Sequence, residues 1–336
     1  MAVIAAAAEV SVPTVSKVLN GRSDVAPDTR RRVESVLGEF GYARNPRRKA
    51  QPAHLIDLVF TEFSPWAAEI IRGANDAALA AKCRIAVTAV TSEAGVDHWM
   101  RSLTASRTDG VVLVLTDLSE VQRNRLAAIQ VPVVLVDPVG QPDPDVLSIG
   151  AANWAGGMAA TEHLLALGHR RIGTITGTPA VLCSQARLDG YRAALERAGI
   201  PVDPQIVANG DFHYESALAA ASALLDLPDP PTAIFAASDV TAMGVYEAAR
   251  QHQLRLPEHL SVVGFDDVPM AQWVSPPLTT LHQPLAEMAA LATRTLLAGD
   301  SIGFDHRIEL ATRLVVRSST QAPFAGRAGG RRRGRP

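Results

Sequence analysis

The chain has few of the residues that staple a fold and no run that would span a membrane. Among 336 residues there are only two cysteines, Cys83 and Cys183, far apart and without a Cys-x-x-Cys spacing. That excludes a disulfide framework and a cysteine metal site; both read as small buried hydrophobes of a reducing compartment. No segment approaches the ~20 consecutive apolar residues of a membrane helix. The N-terminus has no basic region leading into a long apolar run and a cleavage site, and its small-residue stretch Ala5–Ala8 runs straight into Glu9. The expectation is a cytoplasmic protein with no membrane partner. Catalytic signatures are missing as well: no G-x-S-x-G, no H-E-x-x-H, no P-loop and no G-x-G-x-x-G after a strand. His163 and His169 lack metal-ligand spacing and read as packing or capping residues around a Leu-Gly-His turn. No enzyme, metal or cofactor is expected.

What is present is unevenly distributed. The formal net charge is −2, yet residues 1–54 carry +4 and residues 55–326 carry −11, while the last ten residues add five arginines and no acid. A basic head on an acidic body suits a polyanion-binding module attached to a soluble sensor. The length fits a small head and two further lobes.

Residues 11–21 read as one amphipathic helix. Ser11 is placed to cap it, Pro13 falls in the first turn where its missing N–H costs nothing, and Gly21 stops it. Val15, Val18 and Leu19 share a face. Thr14, Ser16, Lys17 and Asn20 lie on other faces, where short polar and basic groups suit bases and phosphates. On periodicity alone the helix either packs against a core or reads DNA. A second helix follows near Ala26–Val33, with Val33, Val36, Leu37 and Phe40 as its apolar stripe.

From Leu55 the pattern alternates between strand and helix. Val- and Ile-rich runs at 55–60, 84–90, 110–115 and 131–136 have the composition of buried parallel strands. A second series follows at 171–176, 205–207, 232–236 and 260–264, with helices at 155–167, 186–198, 214–225 and 240–251 between. The predicted fold is a small all-α helix-turn-helix head followed by an α/β core of two doubly wound parallel-sheet lobes. Ligands of such sheets sit beyond the carboxyl ends of the strands, and Asp137, Asp239 and Asp266 each follow a predicted strand. Carboxylates beside an arginine, Arg187, suit a polyhydroxylated ligand, and an aromatic face such as Trp66 suits the C–H side of a sugar ring. Plainer readings stand beside these. Asp239 is placed to cap the next helix, Trp66 and Trp154 to act as hydrophobic lids, and Asp267 to be structural, since adjacent side chains diverge.

The run Val10-Ser11-Val12-Pro13-Thr14-Val15-Ser16-Lys17-Val18-Leu19-Asn20-Gly21 resembles the recognition helix of the lactose-repressor (LacI/GalR) family. Ala26–Val33 and Phe40-Gly41-Tyr42 resemble its third helix and exit turn. His163–Ile172, Arg187-Leu188-Asp189-Gly190-Tyr191, Val262–Asp267 and Ser275–Thr280 are similar to its effector domain, which is periplasmic-binding-protein-like. The resemblance implies a sequence-specific transcriptional regulator of carbohydrate genes that binds operator double-stranded DNA as a homodimer and answers to a sugar effector. It implies a head over 1–45 and a hinge over 46–54. The core over 55–320 then divides into a first lobe (about 55–150 plus 282–308) and a second (about 151–281 plus 309–320); separately, Gly- and Arg-rich composition makes residues 321–336 a disordered basic tail. Val12, Pro13 and Lys17 would face bases, with Thr14 and Ser16 nearer phosphate. Arg187, Asp239, Asp266 and Gln283 would contact the effector, and Ser64, Pro65 and Trp66 fit the first-lobe loop. A sugar-binding protein of a transport system shares the lobes but has no use for the head.

Two features depart from that pattern. The turn ahead of the recognition helix carries Glu9 where the family has glycine, costing about 1 kcal/mol if the position needs a positive φ. The linker, Asn45-Pro46-Arg47-Arg48-Lys49-Ala50-Gln51-Pro52, lacks the leucine that wedges into the minor groove, and its prolines oppose a hinge helix. Arg47, Arg48 and Lys49 would then either neutralise phosphates or form a solvated linker.

Overall fold

A computed structural model describes residues 2–19, 25–39, 54–106, 108–115, 118–299 and 307–324. It divides into two units, Met1–Ala53 and His54–Pro336.

In the head, α1 (Ala2–Ala7), α2 (Val12–Leu19) and α3 (Pro27–Glu39) enclose a small core. Ile4, Ala5, Ala8, Val15, Val18, Val33, Val36 and Leu37 are buried together, as the helical spacing predicts for Val15, Val18, Val33, Val36 and Leu37; the side chains of Leu19 and Phe40 lie outside the described residues. Ser11 starts α2 by accepting the Thr14 N–H at 3.3 Å. The turn between α1 and α2 closes with bonds from the Val10 N–H to the Ala5 carbonyl and the Glu9 N–H to the Ala6 carbonyl. That closure requires a left-handed residue, and Glu9 supplies it at φ 52°.

The core opens with β1 (Leu55–Phe60), α4 (Pro65–Ala80), β2 (Arg84–Ala89), α5 (Glu93–Ser106), β3 (Gly110–Val114), α6 (Glu120–Ala128), β4 (Val133–Val136) and β5 (Ser148–Ala151). It crosses into α7 (Asn153–Ala166), β6 (Ile172–Ile175), α8 (Leu182–Arg197), β7 (Val207–Ala208), α9 (Tyr214–Leu225), β8 (Ala233–Ala236), α10 (Asp239–Gln251), β9 (Ser261–Asp266), α11 (Met270–Trp273) and β10 (Thr279–His282). The chain then returns through α12 (Leu285–Ala298) and β11 (Arg307–Leu310) before crossing again to β12 (Arg313–Val315).

Two six-stranded sheets result, ordered β11-β5-β4-β3-β1-β2 and β12-β10-β9-β8-β6-β7. Every pairing is parallel except β12 against β10. In each lobe the strand order reverses beside the first strand, at β1/β3 and β6/β8, and that switch point is where open α/β sheets bind ligands. The central strands β3 and β8 are wholly buried, which is why their sequences are continuous apolar runs rather than alternating ones.

Three differences from the sequence reading concern where elements begin and end. The expected strand at 205–207 begins as a 3-10 turn, Pro204–Ile206, because Asp203 accepts the Gln205 N–H and Pro204 holds the turn's first φ. The first sheet takes the chain to Leu310 rather than 308, since β11 pairs with β5 through Ala151. Residues 321–324 are tied down, with the Gln321 N–H donating to Ser261 Oγ and its carbonyl accepting from the same hydroxyl. Residues 325–336 lie outside the described residues. Among the described residues no helix is long and apolar enough to cross a membrane.

Two glycines set how α8 lies on α7. A Cβ on Gly157 would sit 2.2 Å from the Arg187 carbonyl oxygen, and one on Gly190 would sit 2.1 Å from that of Trp154. The helices therefore touch backbone to backbone, which brings Arg187 up against the N-terminus of α7. Gly190→Ala is expected to force α8 away and to lower stability by about 1–3 kcal/mol in denaturant unfolding. Glu9→Gly relieves the left-handed glutamate, and a gain of about 1 kcal/mol in the stability of the head is expected in the same measurement.

Candidate functional site

The head presents α2 outward. Ser11, Val12, Pro13 and Lys17 are exposed and Thr14 and Ser16 half-buried, while Val15 and Val18 face inward. The Ser11 and Thr14 hydroxyls bond each other at 2.9 Å, so these two polar groups act partly as a cap. Asn20, Arg47, Arg48 and Lys49 lie outside the described residues.

In the core a cavity of about 290 Å³ lies between the two sheets, near the lower end of the ~300–1,000 Å³ usual for small-ligand sites. Its described lining comes from the carboxyl ends of strands in both lobes. The first lobe contributes Thr61, Glu62, Ser64 and Trp66 after β1, Leu115 after β3, and Asp137 and Val139 after β4. The second contributes residues after β6, β7 and β8, together with Arg187 and Asp266.

Arg187 is the hub, with 3% of its surface exposed. Its Nε donates to Asn153 Oδ1 at 2.8 Å, one Nη to the Ala237 carbonyl at 2.6 Å, and the other Nη to Gln283 Oε1 at 2.9 Å. The guanidinium lies 3.6 Å from the centre of the Phe265 ring, a cation–π contact that holds its plane. Gln283 then donates to Asp137 Oδ2 at 2.6 Å. The chain of contacts thus runs from the first lobe (Asp137), through a crossover residue (Gln283), to the second lobe (Arg187).

Asp266 completes it. Its Oδ1 is 3.6 Å from an Arg187 Nη and accepts no hydrogen bond within the described residues. Asp137 and Asp266 both have positive φ, 46° and 111°; a non-glycine residue so placed costs about 1–3 kcal/mol, a strain that clusters at ligand sites. Burial, opposed by Arg187, raises the Asp137 carboxyl above its ordinary range. Burial likewise pushes Asp266 up to about 7, with Arg187 opposing and the Asp137 charge adding to the rise. Cys183 also lines the cavity, but burial pushes its thiol up to about 12, so it is no nucleophile at neutral pH.

The structure brings together four of the expected effector residues, Trp66, Asp137, Arg187 and Asp266, and displaces three. Asp239 is fully buried and off the cavity lining. Its two carboxylate oxygens accept from Thr280 Oγ1 at 2.5 Å and from the Val268 N–H at 2.8 Å. It thereby fixes the loop that carries Asp266. The cap of α10 and the cavity-lining position both belong to the preceding residue, Ser238. Gln283, 1% exposed, reaches Arg187 and Asp137 rather than the cavity. Pro65 is exposed at the first position of α4, and its neighbours Ser64 and Trp66 line the cavity instead. Trp154 is likewise off the lining.

Sequence reasoning missed the Asp211-Phe212-His213 corner. It follows β7, the shortest described strand, and a Cβ on Gly177 would fall inside the Phe212 ring, so glycine there is what lets the ring lie over the cavity wall. The available signal was an aromatic between two polar residues at the head of a helix. His213 Nε2 also approaches Glu62 of the first lobe, 3.7 Å away across the mouth of the cleft.

The remaining titratable clusters are structural. Asp267 meets Arg317 and, at 3.1 Å, His282 Nδ1. His169 bonds Thr232, Ser261 and the Gln321 carbonyl, and burial lowers its pKa. Among the described residues no three His, Cys, Asp or Glu side chains are grouped to hold a metal ion.

A three-helix head with an outward-facing capped helix, joined in one chain to a two-lobed cleft with buried charge, defines a ligand-responsive DNA-binding protein. Residues 1–45 match the family of bacterial regulatory proteins of lacI type, and residues 161–320 match the periplasmic binding protein-like domain. The chain is 34% identical over 333 residues to the transcriptional repressor CytR of Escherichia coli K12, covering 95% of each. It is also 34% identical over 331 residues to the transcriptional regulator CelR of Thermobifida fusca, covering 94% of this chain and 96% of that one. A solved structure of a CelR–cellobiose complex superposes with a TM-score of 0.73 at 33% identity, covering 94% and 98% of the two chains. The chain belongs to the LacI family and is a transcriptional regulator, not an enzyme.

Asp266→Asn keeps the shape and removes the titration. An Asp whose folded-state pKa is raised binds its proton more tightly when folded, so its contribution to stability is fully present below the unfolded value of about 3.9 and falls as pH rises toward about 7. Melting curves should show that decline in the wild-type chain and a smaller one in the variant.

Proposed function

We propose that the protein is a cytoplasmic, homodimeric repressor of carbohydrate uptake or catabolism genes, released from a near-palindromic operator by a sugar held between the two core lobes. The observation that carries this is the buried Asp137–Gln283–Arg187–Asp266 chain, which borders the cavity and draws its members from both lobes and a crossover. A ligand whose hydroxyls donate to both aspartates favours one spacing of the lobes over another. Only such differential affinity can shift an equilibrium between two states. Two heads carried by a dimer would be realigned by that shift. The cellobiose complex of CelR supports a saccharide as ligand. Trp66 and Phe212 supply aromatic faces for a ring, and Asp137, Asp266 and Arg187 supply acceptors and a donor.

In the head, Val12, Pro13 and Lys17 would meet base edges in the major groove, with Thr14 and Ser16 against phosphate. A solute-binding role in transport does not explain why the chain carries this head.

The test is a gel shift of the purified protein on DNA upstream of its own gene, with and without a panel of mono- and oligosaccharides. Specific binding released by one sugar is expected; binding that no sugar alters would overturn the sensor reading. Lys17→Ala should weaken operator binding about tenfold or more and relax sequence preference. Arg187→Lys keeps the charge but loses the planar fork. It should bind the operator normally and fail to release it.

A further inference from the structure

The cavity is rich in carboxylate and poor in cation. Glu62, Asp137, Asp211 and Asp266 line it, and Arg187 is the only Lys or Arg among its described lining residues. Three of that guanidinium's donor directions are already turned on Asn153, Ala237 and Gln283. Asp266 is buried, and its Oδ1 accepts no hydrogen bond within the described residues while bordering the cavity. The deep wall therefore asks for a donor from the ligand.

Helix N-termini also face the cavity, and alone they would favour an anion. Ser64 caps α4 by accepting the Ala67 N–H, and Ser238 caps α10 by accepting the Thr241 N–H. The Asp211 carboxylate accepts the His213 N–H at the head of α9. α8 and α9 have no side-chain cap, and each end carries about half a unit charge, against the four carboxyl groups of the lining.

Resting on the sugar-sensor reading of this cleft, we infer that the effector is a free, uncharged sugar and that the cleft rejects its phosphorylated and acidic derivatives. A phosphate monoester brings a charge of about −1.5 to −2 near neutral pH. In this cavity it meets no lysine or arginine other than Arg187 among the described lining residues, and the rim carboxylates, Glu62 of the first lobe and Asp211 of the second, repel it. A hydroxyl, by contrast, both donates to Asp266 Oδ1 and accepts from whatever donor Arg187 retains. The regulator thus senses sugar before any kinase acts on it. The uptake step that supplies the effector delivers the sugar unmodified, or a glycosidase frees it inside the cell; import coupled to phosphorylation would deliver the rejected form.

Calorimetric titration of the full-length protein with matched pairs tests this: glucose and glucose 6-phosphate, ribose and ribose 5-phosphate, cellobiose and its 6-phosphate. At least one free sugar should bind, with its ester at least tenfold weaker. The gap should narrow at high salt and in Glu62→Gln/Asp211→Asn, both residues being exposed on the rim. An ester that binds as tightly as its parent, or a gap indifferent to both salt and the double substitution, overturns the inference and leaves the sugar-sensor reading standing. Failure of every sugar and every ester to bind overturns that reading, and the inference with it.

Discussion

Withdrawing an arginine and two carboxylates from water costs several kcal/mol per ion, and the fold tolerates it only where the geometry returns most of that through close contacts. Arg187 meets the condition through an amide oxygen, a main-chain carbonyl, a glutamine and an aromatic face, with Asp266 at longer range. Its position in turn depends on how the helices and strands around it pack. Gly157 and Gly190 let α8 lie directly on α7, and Phe265 stands at the end of a fully buried strand. Remove the close helix approach and the guanidinium no longer reaches Asn153 and Gln283 together. The balance is incomplete by design of the site: two aspartates face one arginine, and burial raises both carboxyls.

The same cluster links the two lobes by hydrogen bonds. Asp137 comes from the first sheet, Asp266 from the second, and Gln283 from a segment that passes between them. Left-handed backbone at Asp137 and Asp266 means that neither side chain reaches its place by an unstrained strand end. Groups held this way have few alternative positions near by. Asp239 and Asp267 brace the Asp266 loop from its two sides, one through Thr280 and Val268, the other through Arg317 and His282. The division of labour between adjacent aspartates follows from their opposed side-chain directions.

The head is simpler and its logic is local. Three short helices bury eight small aliphatic side chains, and the outward face of α2 is left to polar, basic and small apolar groups. Its one left-handed residue among those described, Glu9, follows from the bond pattern that ends α1. It is a cost borne by the loop and not by the exposed helix face.

The periodicities in this chain were enough to read the class of the fold, because they arise from the burial of whole faces: helical spacing at Val15 and Val18, and predominantly apolar runs at 55–60 and 110–115. Caps and turns were readable for the same local reason, as at Ser11 and at Glu9. The residues that follow strands could be picked out as a set, since strand ends are where such sheets bind ligands. Which member of the set faces the cavity was not readable. One residue along a tight turn redirects a side chain by a large angle, so Ser238 took the position expected of Asp239, and Gln283 turned toward Arg187 instead of the ligand space. The Phe212 corner and the Glu62–His213 approach were hidden more deeply, because each depends on two segments about 35 to 150 residues apart meeting across packed elements. Local pattern carries the elements, since their energetics are set by near neighbours. The site belongs to tertiary structure, because its charges are balanced only by partners that the folded chain brings from both lobes.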